Sequence, residues 1–218
     1  MLGDGAPLRS ARRWYGRPVG AGLPHVDDWH AWSPYELAPK LRDLEVPWAV
    51  AAGWAIELHV GGEPREHEDL ELAIARTSFP VLRAALPELE WYGVGDGLVT
   101  PIDDASDELH QTWGLDRSAG CWRLDVFREP WEGDTWVCRR DPALRRPVAE
   151  AIEHTRDGIP YLAPELVLLF KAKHAREKDQ ADLARALPLL EPARRQWLGD
   201  ALRLVHPGHE WIALVEGA

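Results

Sequence analysis

Two carboxylates separated by one leucine, Asp69-Leu70-Glu71, constrain this chain more than any other short segment. On a strand, the side-chain period of two puts both acids on one face and drives Leu70 into the core, so two hard oxygen ligands project side by side. Such a pair suits Mg²⁺, which takes one or two carboxylates together with phosphate oxygens. Acids also alternate on the solvent face of ordinary strands, and the chain has 36 Asp and Glu residues, so the triplet alone decides little. Two further features give it weight. Upstream, an apolar run over residues 46–50 leads through Ala51-Ala52-Gly53 into a helical segment, 54–59, opened by Gly53. A helix start of this kind offers free N–H groups and a positive dipole end to phosphate. Downstream, Asp125 lies among apolar neighbours in Trp122-Arg123-Leu124-Asp125-Val126-Phe127, a second strand-like run. Placed on the strand next to Asp69 and Glu71, it would complete a three-carboxylate cluster.

These segments resemble the nucleotidyltransferase fold family typified by DNA polymerase beta. Within it they are most similar to the branch of aminoglycoside 2″-nucleotidyltransferases and lincosamide nucleotidyltransferases. That branch carries Gly-Gly-Trp-Ala-hydrophobic-Asp, then Gly-x-x-x-Arg-x-His, then Asp-hydrophobic-Asp/Glu. Here the same positions read Ala52-Gly53-Trp54-Ala55-Ile56-Glu57, Gly61-Gly62-Glu63-Pro64-Arg65-Glu66-His67 and Asp69-Leu70-Glu71, without a gap. A second block, residues 161–183, resembles the branch's C-terminal helical block, with Pro164-Glu165 opening a helix that carries Lys171 and Lys173, followed by Arg176-Glu177-Lys178-Asp179 and Asp182. The resemblance spans roughly residues 30–190 and is weakest over 88–150. Ala52 stands where relatives have a first small glycine, Glu71 replaces the commoner second Asp, and Glu57 replaces Asp at a position read as farther from the chemistry.

The resemblance implies an α+β fold, a small mixed sheet flanked by helices and followed by a C-terminal helical region. It implies in-line attack by an acceptor hydroxyl on the α-phosphorus of an NTP, expected to be ATP, with pyrophosphate leaving. Asp69, Glu71 and Asp125 are then the metal ligands for Mg²⁺ or Mn²⁺, and Asp125 is also the general base. Lys171 and Lys173 are expected at the triphosphate, with Gly53 giving backbone room. Arg65 is either a further phosphate contact or a salt-bridge partner of Glu66 or Glu68. The expected acceptor is a small molecule of the aminoglycoside or lincosamide kind. The alternatives are a toxin-like transferase modifying a protein or RNA, and a non-catalytic nucleotide-binding relative.

Charge bears on the acceptor. The formal net charge is −11, and one basic cluster, Lys171, Lys173, Arg176 and Lys178, stands out with no basic face. Gripping a long nucleic acid requires Lys and Arg to displace counterions, so a polyanionic partner is disfavoured. An acidic cleft would instead attract a polycation. No stretch reaches the roughly 20 apolar residues of a membrane span, and the first residues lack a signal-peptide pattern, so no membrane partner and a cytoplasmic location are expected. Two cysteines, Cys121 and Cys138, are expected to be free thiols.

Along the chain we expect an irregular arm over residues 1–25, a catalytic domain over 26–150 and a helical domain over 151–218. Ser33-Pro34-Tyr35-Glu36 reads as a capping box opening a helix to about residue 44. Strands are expected over 46–51 and 70–75, with a helix over 78–86. A hairpin is expected where Gly95-Asp96-Gly97 divides two apolar runs. Residues 164–204 should be helical, broken at Pro188 and Pro192. The chain has 12 tryptophans, and Trp131 and Trp136 read either as core packing or as a wall of the acceptor cleft. His67 reads as a structural neighbour of the acids in preference to a ligand.

Overall fold

The computed structural model describes residues 22–217, so residues 1–21 of the expected irregular arm lie outside the described residues. Capping chemistry sets the first helix, α1 (Pro34–Lys40). The Ser33 hydroxyl accepts from the Glu36 N–H at 3.3 Å, and the Glu36 carboxylate accepts from the Ser33 N–H at 2.8 Å. Then follow β1 (Trp48–Val50), α2 (Ala52–Val60), β2 (Glu71–Ala75) and α3 (Phe79–Ala85). Next come β3 (Leu89–Gly95), β4 (Leu98–Pro101), β5 (Gln111–Asp116) and β6 (Cys121–Glu129). The β3–β4 turn has Asp96 at φ 51° and Gly97 at φ 74°, two consecutive positive angles, as a two-residue type I′ hairpin requires.

Beyond β6 the chain forms β7 (Thr135–Val137), β8 (Arg145–Pro147), α4 (Val148–Ala151), β9 (Ile152–His154) and β10 (Pro160–Leu162). It ends in α5 (Pro164–Lys171), α6 (Glu177–Ala186), α7 (Pro192–Val205) and α8 (Trp211–Glu216). The main sheet is mixed and eight-stranded, in the order β4-β3-β5-β6-β2-β1-β10-β9, with β7 and β8 paired separately. Its two parallel contacts are β2 with β6 and β1 with β10. Strands at its centre are covered on both faces: Leu72, Ala73 and Ile74 are all fully buried, which is why β2 reads as a continuous apolar run after Glu71. Among the described residues no helix is long and apolar enough to cross a membrane.

Two features depart from the sequence reading, and a third decides between its alternatives. The helix expected through residue 204 breaks after Lys171, where Ala175 takes φ 42°, and α6 restarts with the Asp179 carboxylate accepting from the Arg176 N–H at 3.1 Å. β9 and β10, three residues each and drawn from the start of the stretch assigned to the C-terminal helical domain, ahead of the helix expected from residue 164, extend the main sheet beside β1. Trp131 and Trp136 are buried in the main core, with Trp136 edge-on to Trp197 at 6.4 Å, so they form no wall of the cleft.

The β9 edge also carries an acid-sensitive tie. Glu153 accepts from the Tyr161 hydroxyl at 2.8 Å and pairs with Arg194 and with His59 at 3.6 Å. Burial pushes this carboxyl up, but hydrogen bonds from His59, Arg194 and Tyr161 outweigh it and pull it down to about 2. Because the folded value lies below the unfolded 4.5, the contribution is complete above pH 4.5 and disappears as pH falls toward 2. Glu153→Gln should therefore cost at most about 3 kcal/mol at neutral pH, and its difference from wild type in urea denaturation should shrink steadily between pH 5 and about 2.

Candidate active site

β2 and β6 run parallel with Glu71 opposite Asp125, so these two side chains occupy one face of the sheet on neighbouring strands. Asp69 lies two residues before the start of β2. The Ala51 N–H donates to the Glu71 carbonyl at 2.8 Å, which ties the start of α2 to the acidic strand. All three acids line one cleft of about 790 Å³, between the sheet, the start of α2, the segment before β2 and the α5–α6 link. Asp125 is 1% exposed, and Gln111 Nε2 on β5 donates to its Oδ2 at 2.6 Å. The sequence reading missed Gln111. Its signal lies only in the register, since β5 pairs with β6 and brings Gln111 opposite Phe127, two residues from Asp125.

The start of α2 is a tight construction. Its N-cap, Ala51, has no side chain to accept from the first-turn N–H groups. Ala52 adopts φ 49°, a left-handed conformation in which its Cβ is crowded, so Ala52→Gly should raise stability by about 1 kcal/mol in urea denaturation. Gly53 lies within α2, one residue after its start. A Cβ there would meet Arg65 Nη2 at 2.6 Å and the His67 ring at 2.8 Å, so the room at Gly53 is taken by these two side chains.

Arg65 faces Glu57 and Asp182, each at 3.5 Å, and donates to the Glu66 carbonyl at 3.2 Å. It thus holds neither of the carboxylate partners named from sequence. His67 stacks on Trp54 at 4.4 Å and lies 3.6 Å from Glu57, with burial first and Arg65 second pushing its imidazole down to about 4. Glu57 is buried and takes both terminal nitrogens of Arg185 at 2.8 Å. Glu57, read as remote, is therefore the hub that fastens the segment before Asp69 to α2 and α6.

The cations divide into two groups. Lys171 pairs with Asp179 at 3.0 Å and Asp182 at 2.8 Å, both buried acids of α6. Lys178 is half-buried; desolvation and then Arg176 lower its pKa, while Glu71 opposes the shift and Lys171 and Arg65 add to it. These four cations, Lys171, Arg176, Lys178 and Arg65, gather at the Glu71 side of the cleft. Arg139, Arg140 and Lys173 line another part of it, near Phe127 and Phe170. Six carboxylates and seven Lys or Arg side chains line the cleft as a whole, so it is not the acidic cavity that the chain's charge suggests.

The acids fit a divalent cation that arrives with phosphate. Among the described residues no three His, Cys, Asp or Glu side chains are gathered into a complete metal cage. Two carboxylates in register, open to a cleft rimmed by cations, are a donor set that would suit Mg²⁺ arriving with a phosphate-bearing ligand.

Residues 35–96 match the family described as aminoglycoside-2''-adenylyltransferase. No curated protein matches the chain at a significant level. Among solved structures, the antibiotic-resistance factor ANT(2'')-Ia is 13% identical, with a TM-score of 0.52 over 84% of this chain and 93% of its own. The lincosamide antibiotic adenylyltransferase LnuA, solved with lincomycin, is 16% identical over 69% of this chain and 92% of its own, with a TM-score of 0.47. An antigenic nucleotidyltransferase-like protein from Paracoccidioides brasiliensis is 21% identical over 83% and 89%, with a TM-score of 0.46. The first of these establishes the fold, and the family match covers the segment containing Asp69 and Glu71. Together they support the nucleotidyltransferase branch and an enzyme of that class.

Proposed function

We propose that this chain, with its nucleotidyltransferase fold, is a metal-dependent transferase moving AMP from ATP to a hydroxyl of a small molecule. The observation that carries the reading is the pairing of Glu71 with Asp125 across parallel strands, at the foot of a cleft that also receives the start of α2. Asp69, Glu71 and Asp125 would hold Mg²⁺ or Mn²⁺. The metal, when bound, neutralises charge on the transferring and leaving phosphate oxygens.

The chain's own residues supply the rest. Asp125 accepts the proton of the attacking hydroxyl, and Gln111 fixes the carboxylate by donating to Oδ2. The N–H groups at the start of α2 and the cations beside Glu71, chiefly Arg176 and Lys178, take the triphosphate. Lys171, its ammonium held by Asp179 and Asp182, acts by position, fastening α5 to α6 behind those cations. Arg65 and Gly53 act by position, locking the segment that delivers Asp69. The cleft volume of about 790 Å³ falls in the usual range for small-molecule sites, about 300–1,000 Å³. Antibiotics of the aminoglycoside and lincosamide kinds are the first acceptors to test, and ATP supply makes the cytoplasm the setting.

The test is pyrophosphate release from each NTP with Mg²⁺ or Mn²⁺ across a panel of hydroxyl-bearing acceptors, including aminoglycosides and lincosamides. Release that requires both an NTP and an acceptor is expected. Nucleotide binding without release for any acceptor would sink the small-molecule reading.

A further inference from the structure

Beyond Asp125 the cleft changes character. Phe127 and Glu129 follow on the same face of β6. The Arg139 guanidinium lies 5.3 Å from the Phe127 ring and 4.3 Å from the Phe170 ring, and it pairs with the buried Glu129. Arg140 lies 4.8 Å from the Phe170 ring and donates to the carbonyls of Leu169 and Phe170 at 3.1 and 2.9 Å. Lys173 is exposed at the rim and forms no ion pair among the described residues. His110, 6.2 Å from the Phe127 ring, senses the same field: burial, then Arg139, Arg76, Lys173 and Arg128, push its imidazole down to about 4. Against these cations this end of the lining offers one carboxylate, Glu129, already matched to Arg139.

Geometry divides the two cation groups between the two reactants. In phosphoryl and nucleotidyl transfer the attacking and leaving oxygens lie roughly in line. With the α-phosphorus at Glu71 and Asp125, pyrophosphate and acceptor therefore occupy opposite ends of the cleft. Arg176, Lys178 and Lys171 gather at the Glu71 end. We infer that the Phe127–Phe170 end is the acceptor subsite, and that Lys173, Arg139 and Arg140 select a hydroxyl compound bearing an anionic group, phosphate or carboxylate, over a polycation. This rests on the transferase reading and moves Lys173 from the triphosphate to the acceptor. Like charges across such a site suppress the wrong partner, and the Phe rings and backbone carbonyls hold the two arginines in place for the right one.

Calorimetric titration of the full chain tests the two levels separately. The non-hydrolysable analogue AMPCPP is titrated first, with Mg²⁺; absence of binding overturns the transferase reading and the subsite with it. At saturating AMPCPP, glucose 6-phosphate, glucuronate and tobramycin are then the probes. At least one of the two anions should bind, the stronger naming the preferred group, and tobramycin should not. Lys173→Glu, at an exposed position, should weaken the bound anion at least tenfold and AMPCPP less than twofold. Tobramycin binding as tightly as either anion, or neither anion binding, overturns the subsite. Equal losses for anion and AMPCPP in Lys173→Glu return that residue to the triphosphate and overturn it as well.

Discussion

Asp125→Asn should lower kcat by about 10²–10⁴-fold, the range for removing a positioned general base, with KM for ATP changed far less. The substitution keeps the side chain's shape at a site that is 1% exposed, so the loss is not expected to come from unfolding. The amide retains a carbonyl that can accept from Gln111, which donates to Oδ2 at 2.6 Å in the wild type. What it lacks is a group able to take a proton from an attacking hydroxyl. Because Asp125 is also assigned to the metal, the variant should need more Mg²⁺ for half-maximal rate, which a Mg²⁺ titration of kcat separates from loss of the base. A kcat within tenfold of wild type at saturating Mg²⁺ would remove Asp125 from the proton transfer.

The acids were legible because their pattern is local. Asp69-Leu70-Glu71 and the apolar-flanked Asp125 announce strands through alternation, and the structure places Glu71 and Asp125 in register on parallel neighbours. Ser33 with Glu36, and Asp96-Gly97, were equally readable, because a capping box and a type I′ turn are completed within a few residues. What escaped is set by tertiary contact. Gln111 reaches Asp125 only through the β5–β6 pairing. Glu57 looked peripheral in sequence, yet Arg185, 128 residues away along the chain, closes on it. β9 and β10 are three residues each, too short to show alternation. The break after Lys171 has no proline or glycine to mark it, since the turn is made by Ala175 at a positive φ. Net charge misled most: the −11 of the chain lies mainly elsewhere on its surface, while the cleft gathers more cations than acids.

Lys171→Met should cost about 3–5 kcal/mol of stability, the penalty for stripping one partner from a buried ion pair, and should do so before any question of phosphate binding arises. Lys171 ends α5 and reaches into α6, where Asp179 is fully buried and Asp182 is 1% exposed. Burial pushes the Asp179 carboxyl up, and Arg176 and Lys171 more than offset it, leaving the group below its ordinary value. Without the ammonium, the ion pairs left among the described residues are Arg176 on Asp179 and the more distant Arg65, at 3.5 Å, on Asp182. The helix pair joined by the strained turn at Ala175 would then carry excess buried negative charge beside the cleft. Urea denaturation of Lys171→Met and of the double variant Lys171→Met/Asp182→Asn separates structure from chemistry. Recovery of a substantial part of the lost stability in the double variant is expected, because the second change removes the charge that the first left unbalanced. A stable Lys171→Met protein that had lost only its affinity for AMPCPP would instead make this lysine a direct triphosphate ligand, with its ion pairs to α6 giving way when nucleotide binds.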